Sequence, residues 1–154
     1  MRFYFASSLA VCLTACSATE APPIEQLEIW APGLEVAIDG HGNGRFKQYS
    51  KGTEGRFTLS AAQFAELRKR TEPFRLSRDA ISSERISAFI AAGQRCDGDY
   101  VTDNGGISFH WSGRSMNQFY AVDYGCERVR YATRNGELRA ILASLPVPKS
   151  DALP

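Results

Sequence analysis

Leu34, Val36 and Ile38 alternate with Glu35, Ala37 and Asp39, and further along Ile107, Phe109 and Trp111 alternate with Ser108, His110 and Ser112. A period of two sends the two sets to opposite sides of an extended backbone, so both stretches predict strands with one buried face. Ile24 to Trp30, where Leu27 and Ile29 flank Glu28, reads as a first strand or an extended arm, broken by Pro32-Gly33. Asp39-Gly40-His41-Gly42-Asn43-Gly44 is dense in residues that accept positive φ, and with Phe46 and Tyr49 resuming afterwards it predicts a hairpin. Arg56 to Leu59 predicts a short strand, and Gln118 to Tyr124 an aromatic strand returning after the turn Ser112-Gly113-Arg114-Ser115. Val129 to Thr133 fits an additional edge strand.

Helical spacing appears in three places. Ser60 with Gln63 three residues on is a capping box, and Phe64 and Leu67 then share a side with Ala61 and Ala65; Pro73 predicts an end by Glu72. Phe74 to Ser83 carries no clear period and is read as irregular. Glu84 to Ala92 places Ile86, Phe89 and Ile90 together and stops at Gly93. Asn135 is expected to open a last helix whose Leu138, Ile141, Leu142 and Leu145 form one stripe, ended by Pro146. Strands grouped around single helices, without βαβ alternation, predict an α+β fold: a mainly antiparallel sheet with two or three helices packed on one face. No internal repeat is apparent.

Length and charge narrow the function. The 154 residues suffice for one small domain, and 18 basic against 17 acidic side chains leave a net charge of +1. Such a balance argues against nucleic-acid binding, which needs a basic surplus, and against purely electrostatic attachment to a membrane.

The amino-terminal pattern changes the picture. One charge, Arg2, precedes an uncharged and mostly apolar run from Phe3 to Ala15, the layout of a secretory signal and too short for a permanent membrane span. Leu13-Thr14-Ala15-Cys16 resembles a bacterial lipobox. That resemblance implies a signal peptide over 1–15, removed to leave Cys16 as a lipidated, palmitate-bearing residue, with 16–23 a tether. Several acyl chains hold far more strongly than one, at roughly 0.8 kcal/mol per buried methylene. A coil of about seven residues reaches on the order of 15 Å, keeping the domain near its membrane. Ser17 stands where an Asp would resemble an inner-membrane retention signal, which points to the outer membrane, facing the periplasm. The folded domain is expected over 24–147 and a loose tail over 148–154.

Two cysteines remain once Cys12 leaves with the signal and Cys16 takes the lipid. In an oxidising envelope Cys96 and Cys126 are expected to form a structural disulfide, since neither a C-x-x-C spacing nor clustered histidines suggest redox or metal chemistry.

Val36-Ala37-Ile38-Asp39-Gly40, Leu59-Ser60 leading to Phe64 and Leu67, Thr102-Asp103 ahead of a strand, and Tyr124-Gly125-Cys126 at a strand end are the local motifs of the domain. Together, over roughly Leu34 to Leu145, they resemble a family of bacterial envelope lipoproteins carrying a domain of unknown function. The resemblance implies a small α+β domain with one disulfide and brings no catalytic residues.

Candidate chemistry is sparse. Asp39-x-His41-x-Asn43-Gly44 resembles half of a calcium loop, but Ser50 stands where the bidentate glutamate belongs. Asp97, Asp99 and Asp103 are weak candidates for a cation site, with solvated turn carboxylates the simpler reading, so no metal or other cofactor is expected. The two histidines, His41 on a turn and His110 on an outward strand face, form no recognisable triad with Ser108 or Ser112, and no catalytic residue is nominated. Tyr120, Tyr124, Arg128 and Arg130 are interface candidates, because Tyr and Arg anchor interfaces, although core and cross-strand packing is the simpler reading of the tyrosines. The expectation is a noncatalytic envelope lipoprotein that binds or scaffolds at the membrane, with an envelope protein or peptidoglycan as partner. The alternative is a small periplasmic enzyme or enzyme inhibitor.

Overall fold

A computed structural model describes residues 24–93 and 95–150. Its centre is a seven-stranded, wholly antiparallel sheet: β1 (Gln26–Ala31), β2 (Leu34–Asp39), β3 (Asn43–Gln48), β4 (Thr53–Thr58), β5 (Ile81–Ser82), β6 (Gly106–Gly113) and β7 (Met116–Asp123). Their spatial order is β4-β3-β2-β1-β6-β7-β5. Two hairpin ribbons, β1 to β4 and β6 to β7, therefore meet along the β1–β6 seam, and the short β5 closes the far edge. Helices α1 (Ala61–Arg75), α2 (Ile86–Ala92) and α3 (Ala132–Ala143) complete the α+β fold, with a single 3₁₀ turn at Ser83–Arg85 leading into α2.

The seam explains the core. Leu27 pairs with Ile38 on one side and Trp111 on the other, while Ile29 pairs with Val36 and Phe109. These apolar positions share one face, over which α1 and α3 lie: Phe74 packs on Phe109 and Tyr120, and Leu67, Leu138 and Ile141 are buried with them. Trp111 and Phe109 are wholly enclosed, and burying an aromatic of that size contributes roughly 1.5–3 kcal/mol. Arg70 of α1 joins Glu137 of α3 at 2.9 Å on the outer surface. The seventh strand edge is lapped by α2, whose Phe89 meets Phe119 on the opposite face.

Local expectations hold where the signal is local. Ser60 and Gln63 form the reciprocal capping box, and Asp39 accepts the backbone N–H groups of His41 and Asn43 to set the hairpin tip. Four expectations are overturned, in whole or in part, by packing. Helix α1 runs through Pro73 to Arg75 instead of stopping at Glu72, because Phe74 enters the core and Arg75 is pinned to Glu72 and to Gln118 of β7. Of the stretch read as irregular, Phe74 and Arg75 belong to α1 and Ile81–Ser82 to β5, while Leu76 to Ala80 is turn, bend and coil as expected. Val129 to Thr133 is no edge strand; β5 occupies the place beside β7, and α3 begins at Ala132, three residues before Asn135. Asn135 does not cap the helix but lies buried inside it, its side chain 3.5 Å from the Tyr124 carbonyl and accepting from Arg134.

Candidate binding face

The sheet face away from α1 and α3 carries the outward members of each alternation. Following the register from edge to edge gives one continuous row of seven cross-strand neighbours: Arg56, Arg45, Ala37, Glu28, His110, Phe119 and Ile81. Basic residues stand at one end, an acid–imidazole pair in the middle, and apolar residues at the end that α2 laps.

The middle is held rigidly. His110 Nδ1 lies 3.1 Å from Glu28 Oε2 and Nε2 lies 2.7 Å from Asn117 Oδ1, so the ring is fixed at both nitrogens. Gln26 in turn donates to Glu28 Oε1 at 2.6 Å. The indole of Trp30, partly exposed, stacks on the imidazole with centroids 6.2 Å apart, and Phe119 stands against both rings. This is the arrangement of a preformed surface, with rotamers locked by packing and hydrogen bonds. Its Nε2 engages an amide oxygen, and neither Ser108 nor Ser112 is bonded to the ring among the described residues.

Beside it, the groove over β2 to β4 measures about 510 Å³ and is lined by Ala37, Arg45, Lys47, Arg56 and the acids Glu35 and Glu54. Tyr49 donates its hydroxyl to Glu35 at 2.6 Å, and this bond to a carboxylate raises the Tyr49 pKa. Lys47 Nζ lies 4.9 Å from the centre of the Tyr49 ring, a cation–π arrangement. Asp39 at the hairpin tip is held below the usual carboxylate range, chiefly by the side chain and backbone N–H of Asn43.

The expected site residues fall elsewhere. Cys96 and Cys126 form the disulfide, with Cα atoms 5.6 Å apart, at the pole where β6 begins and β7 ends. Tyr120 and Tyr124 belong to the core at 2% and 3% exposure, so as interface anchors they are corrected: β7 turns Tyr120 inward beneath α1, and Arg139 covers the Tyr124 ring. Arg128 and Arg130 are exposed at the same pole, Arg130 paired with Glu127 at 3.1 Å. Asp97, Asp99 and Asp103 are exposed there too, and among the described residues no group of three or more His, Cys, Asp or Glu side chains could hold a metal ion. Cys16 lies outside the described residues. No helix among the described residues is long and apolar enough to cross a membrane.

Sequence reasoning missed Glu28, Trp30, Arg45 and Arg56. Their signal was present only as outward positions in strands, because neighbours across a sheet are set by register and not by spacing along the chain. The chain matches no family model, no curated protein and no solved structure.

Proposed function

We propose that this chain is a noncatalytic, lipid-anchored domain of the bacterial envelope that binds or scaffolds a partner, an envelope protein or peptidoglycan, through the open face of its sheet. The anchor reading draws on Leu13-Thr14-Ala15-Cys16, and the outer membrane facing the periplasm on Ser17 after the cysteine. The observation that carries the binding reading is the Trp30–His110–Glu28 constellation on a sheet face left open by α1 and α3. An antiparallel sheet tolerates water on one side, but a solvated face needs only polar side chains. An indole stacked on an imidazole, on the same open face as a groove lined by Arg45 and Arg56, brings together aromatic area and arginine, the residue types that interfaces favour. The ring nitrogens of His110 are both engaged by its neighbours, which suits a fixed recognition surface better than proton transfer.

The test places a photoactivatable residue at Ser108, beside Trp30 in the register, and in a separate strain at Lys69 on the exposed side of α1. Crosslinks to one envelope partner from position 108 and not from position 69 are expected; equal or exclusive capture from position 69 overturns the assignment of the face. In the same strains Cys16→Ser should abolish incorporation of labelled fatty acid, and undiminished incorporation removes the anchor.

A further inference from the structure

We propose that Arg45 and Arg56 form a binding site for a multivalent oxyanion, a ligand bearing phosphate or carboxylate groups, at the β3–β4 end of the open face. The inference rests on that face being the binding surface and names the chemistry it selects.

Arg45 and Arg56 are direct cross-strand partners, so two guanidinium groups arise from adjacent positions of one hairpin. Like charges directly opposite one another on a sheet repel, and a hairpin selected for stability alone would place an acid at one of them. Lys47 and Glu54, the next outward pair of the same hairpin, follow that pattern. Neither arginine forms a salt bridge among the described residues.

Three of the acids near them have partners of their own, and a fourth, Glu54, stands opposite Lys47 in the hairpin register. Glu35 accepts the Tyr49 hydroxyl, and Asp39 accepts Asn43 and two backbone N–H groups. Glu28 has His110 and Gln26. On its other side Arg45 pairs with Ala37, whose methyl group leaves the floor of the sheet low between longer side chains. Two grooves meet at this place, one of about 510 Å³ toward Lys47 and one of about 360 Å³ toward Asn43, and both are lined by Ala37, Arg45 and Arg56. The guanidinium pair thus stands between two open spaces, with neither arginine held in an ion pair among the described residues. Planar five-donor forks suit phosphate and carboxylate oxygens, and a ligand with two such groups could engage both arginines at once.

The full chain, purified in detergent, is titrated calorimetrically at low ionic strength with sodium pyrophosphate and, separately, with citrate. Saturable binding of at least one is expected, weakened at least tenfold in Arg45→Gln and in Arg56→Gln and unchanged in Arg114→Gln, an exposed arginine on the β6–β7 turn. Tighter binding of pyrophosphate assigns phosphate groups, and tighter binding of citrate assigns carboxylates. The bound anion should also raise the melting temperature of the unsubstituted chain and leave that of the two variants where it was. No saturable binding of either anion, or equal weakening by Arg114→Gln, overturns the site. Selective crosslinking from position 108 alongside absent anion binding would remove the oxyanion assignment alone and leave the binding face standing.

Discussion

Val101 donates its backbone N–H to the Gly125 carbonyl at 3.1 Å, and the reverse approach is closer still: a Cβ on Gly125 would stand 2.0 Å from the Val101 carbonyl oxygen. Tyr100 bridges Cys126 at the next position, and the Cys96–Cys126 disulfide fastens the same two loops. The Gly in Tyr124-Gly125-Cys126 is therefore required by close backbone approach.

Gly125→Ala must push a backbone carbonyl aside, and overpacking of that kind costs about 1–3 kcal/mol. Gly136, exposed on α3, has nothing within 4 Å of an added Cβ, and Gly136→Ala should stabilise by about 0.5–1 kcal/mol through helix propensity. Urea midpoints moving in opposite directions are expected; a shift of the same sign for both would contradict the backbone argument.

Removing the disulfide releases a loop closed over 30 positions, and Cys96→Ala with Cys126→Ala should cost up to about 4 kcal/mol in the chain-entropy account. The loops it joins are largely exposed, so the loss should spare the β1–β6 seam. Hydrogen exchange of the oxidised and reduced protein checks this: faster exchange confined to 97–105 and 124–131 is expected, and loss of protection at Ile29 or Phe109 would argue otherwise.

Arg75 donates Nε to Glu72 at 2.8 Å and Nη1 to Gln118 at 2.8 Å, and the guanidinium holds the Glu72 carboxyl below its ordinary 4.5. A carboxyl depressed in the folded state contributes stability that is complete above its unfolded pKa and disappears as pH falls through the folded value. Glu72→Gln should thus lower stability at neutral pH and make the decline below about pH 4.5 shallower than in the unsubstituted protein. Urea midpoints measured from neutral to acid pH give the comparison, and parallel acid limbs would count against the pair.

Burial pushes the Tyr124 phenol up to about 12, and its hydroxyl has no hydrogen-bond partner among the described residues. With the folded pKa raised, the contribution of the neutral phenol is complete below the ordinary 10.0 and is lost as pH climbs through about 12. Tyr124→Phe deletes an unpaired polar atom, so stability at neutral pH should stay equal or rise, and the alkaline limb above pH 10 should flatten. Thermal melts across that range measure it; earlier alkaline unfolding of the variant would reverse the assignment.

The open face of the sheet shows how far periodicity reaches. Glu28 and His110 were each legible as outward residues, one from Leu27 and Ile29, the other from Phe109 and Trp111. Their meeting at 3.1 Å was not, since 82 positions separate them and a one-residue change of register would part them. Tyr120 and Tyr124 mark the converse limit: residue type suited both core and interface, and only the seating of α1 and α3 settled that they are buried.

Taken alone, the sequence determined the α+β class, the capped start of α1 at Ser60, the hairpin tip at Asp39 and the alternating faces of β2 and β6, because each depends on interactions within a few residues. Tertiary structure decided that α1 continues through Pro73, that Asn135 is enclosed within α3, and that Arg45 and Arg56 stand side by side on an open groove. Those outcomes are set by which strands pair and which helix covers which face. Such long-range choices come from burying apolar area between segments distant in the chain, and no local spacing encodes them.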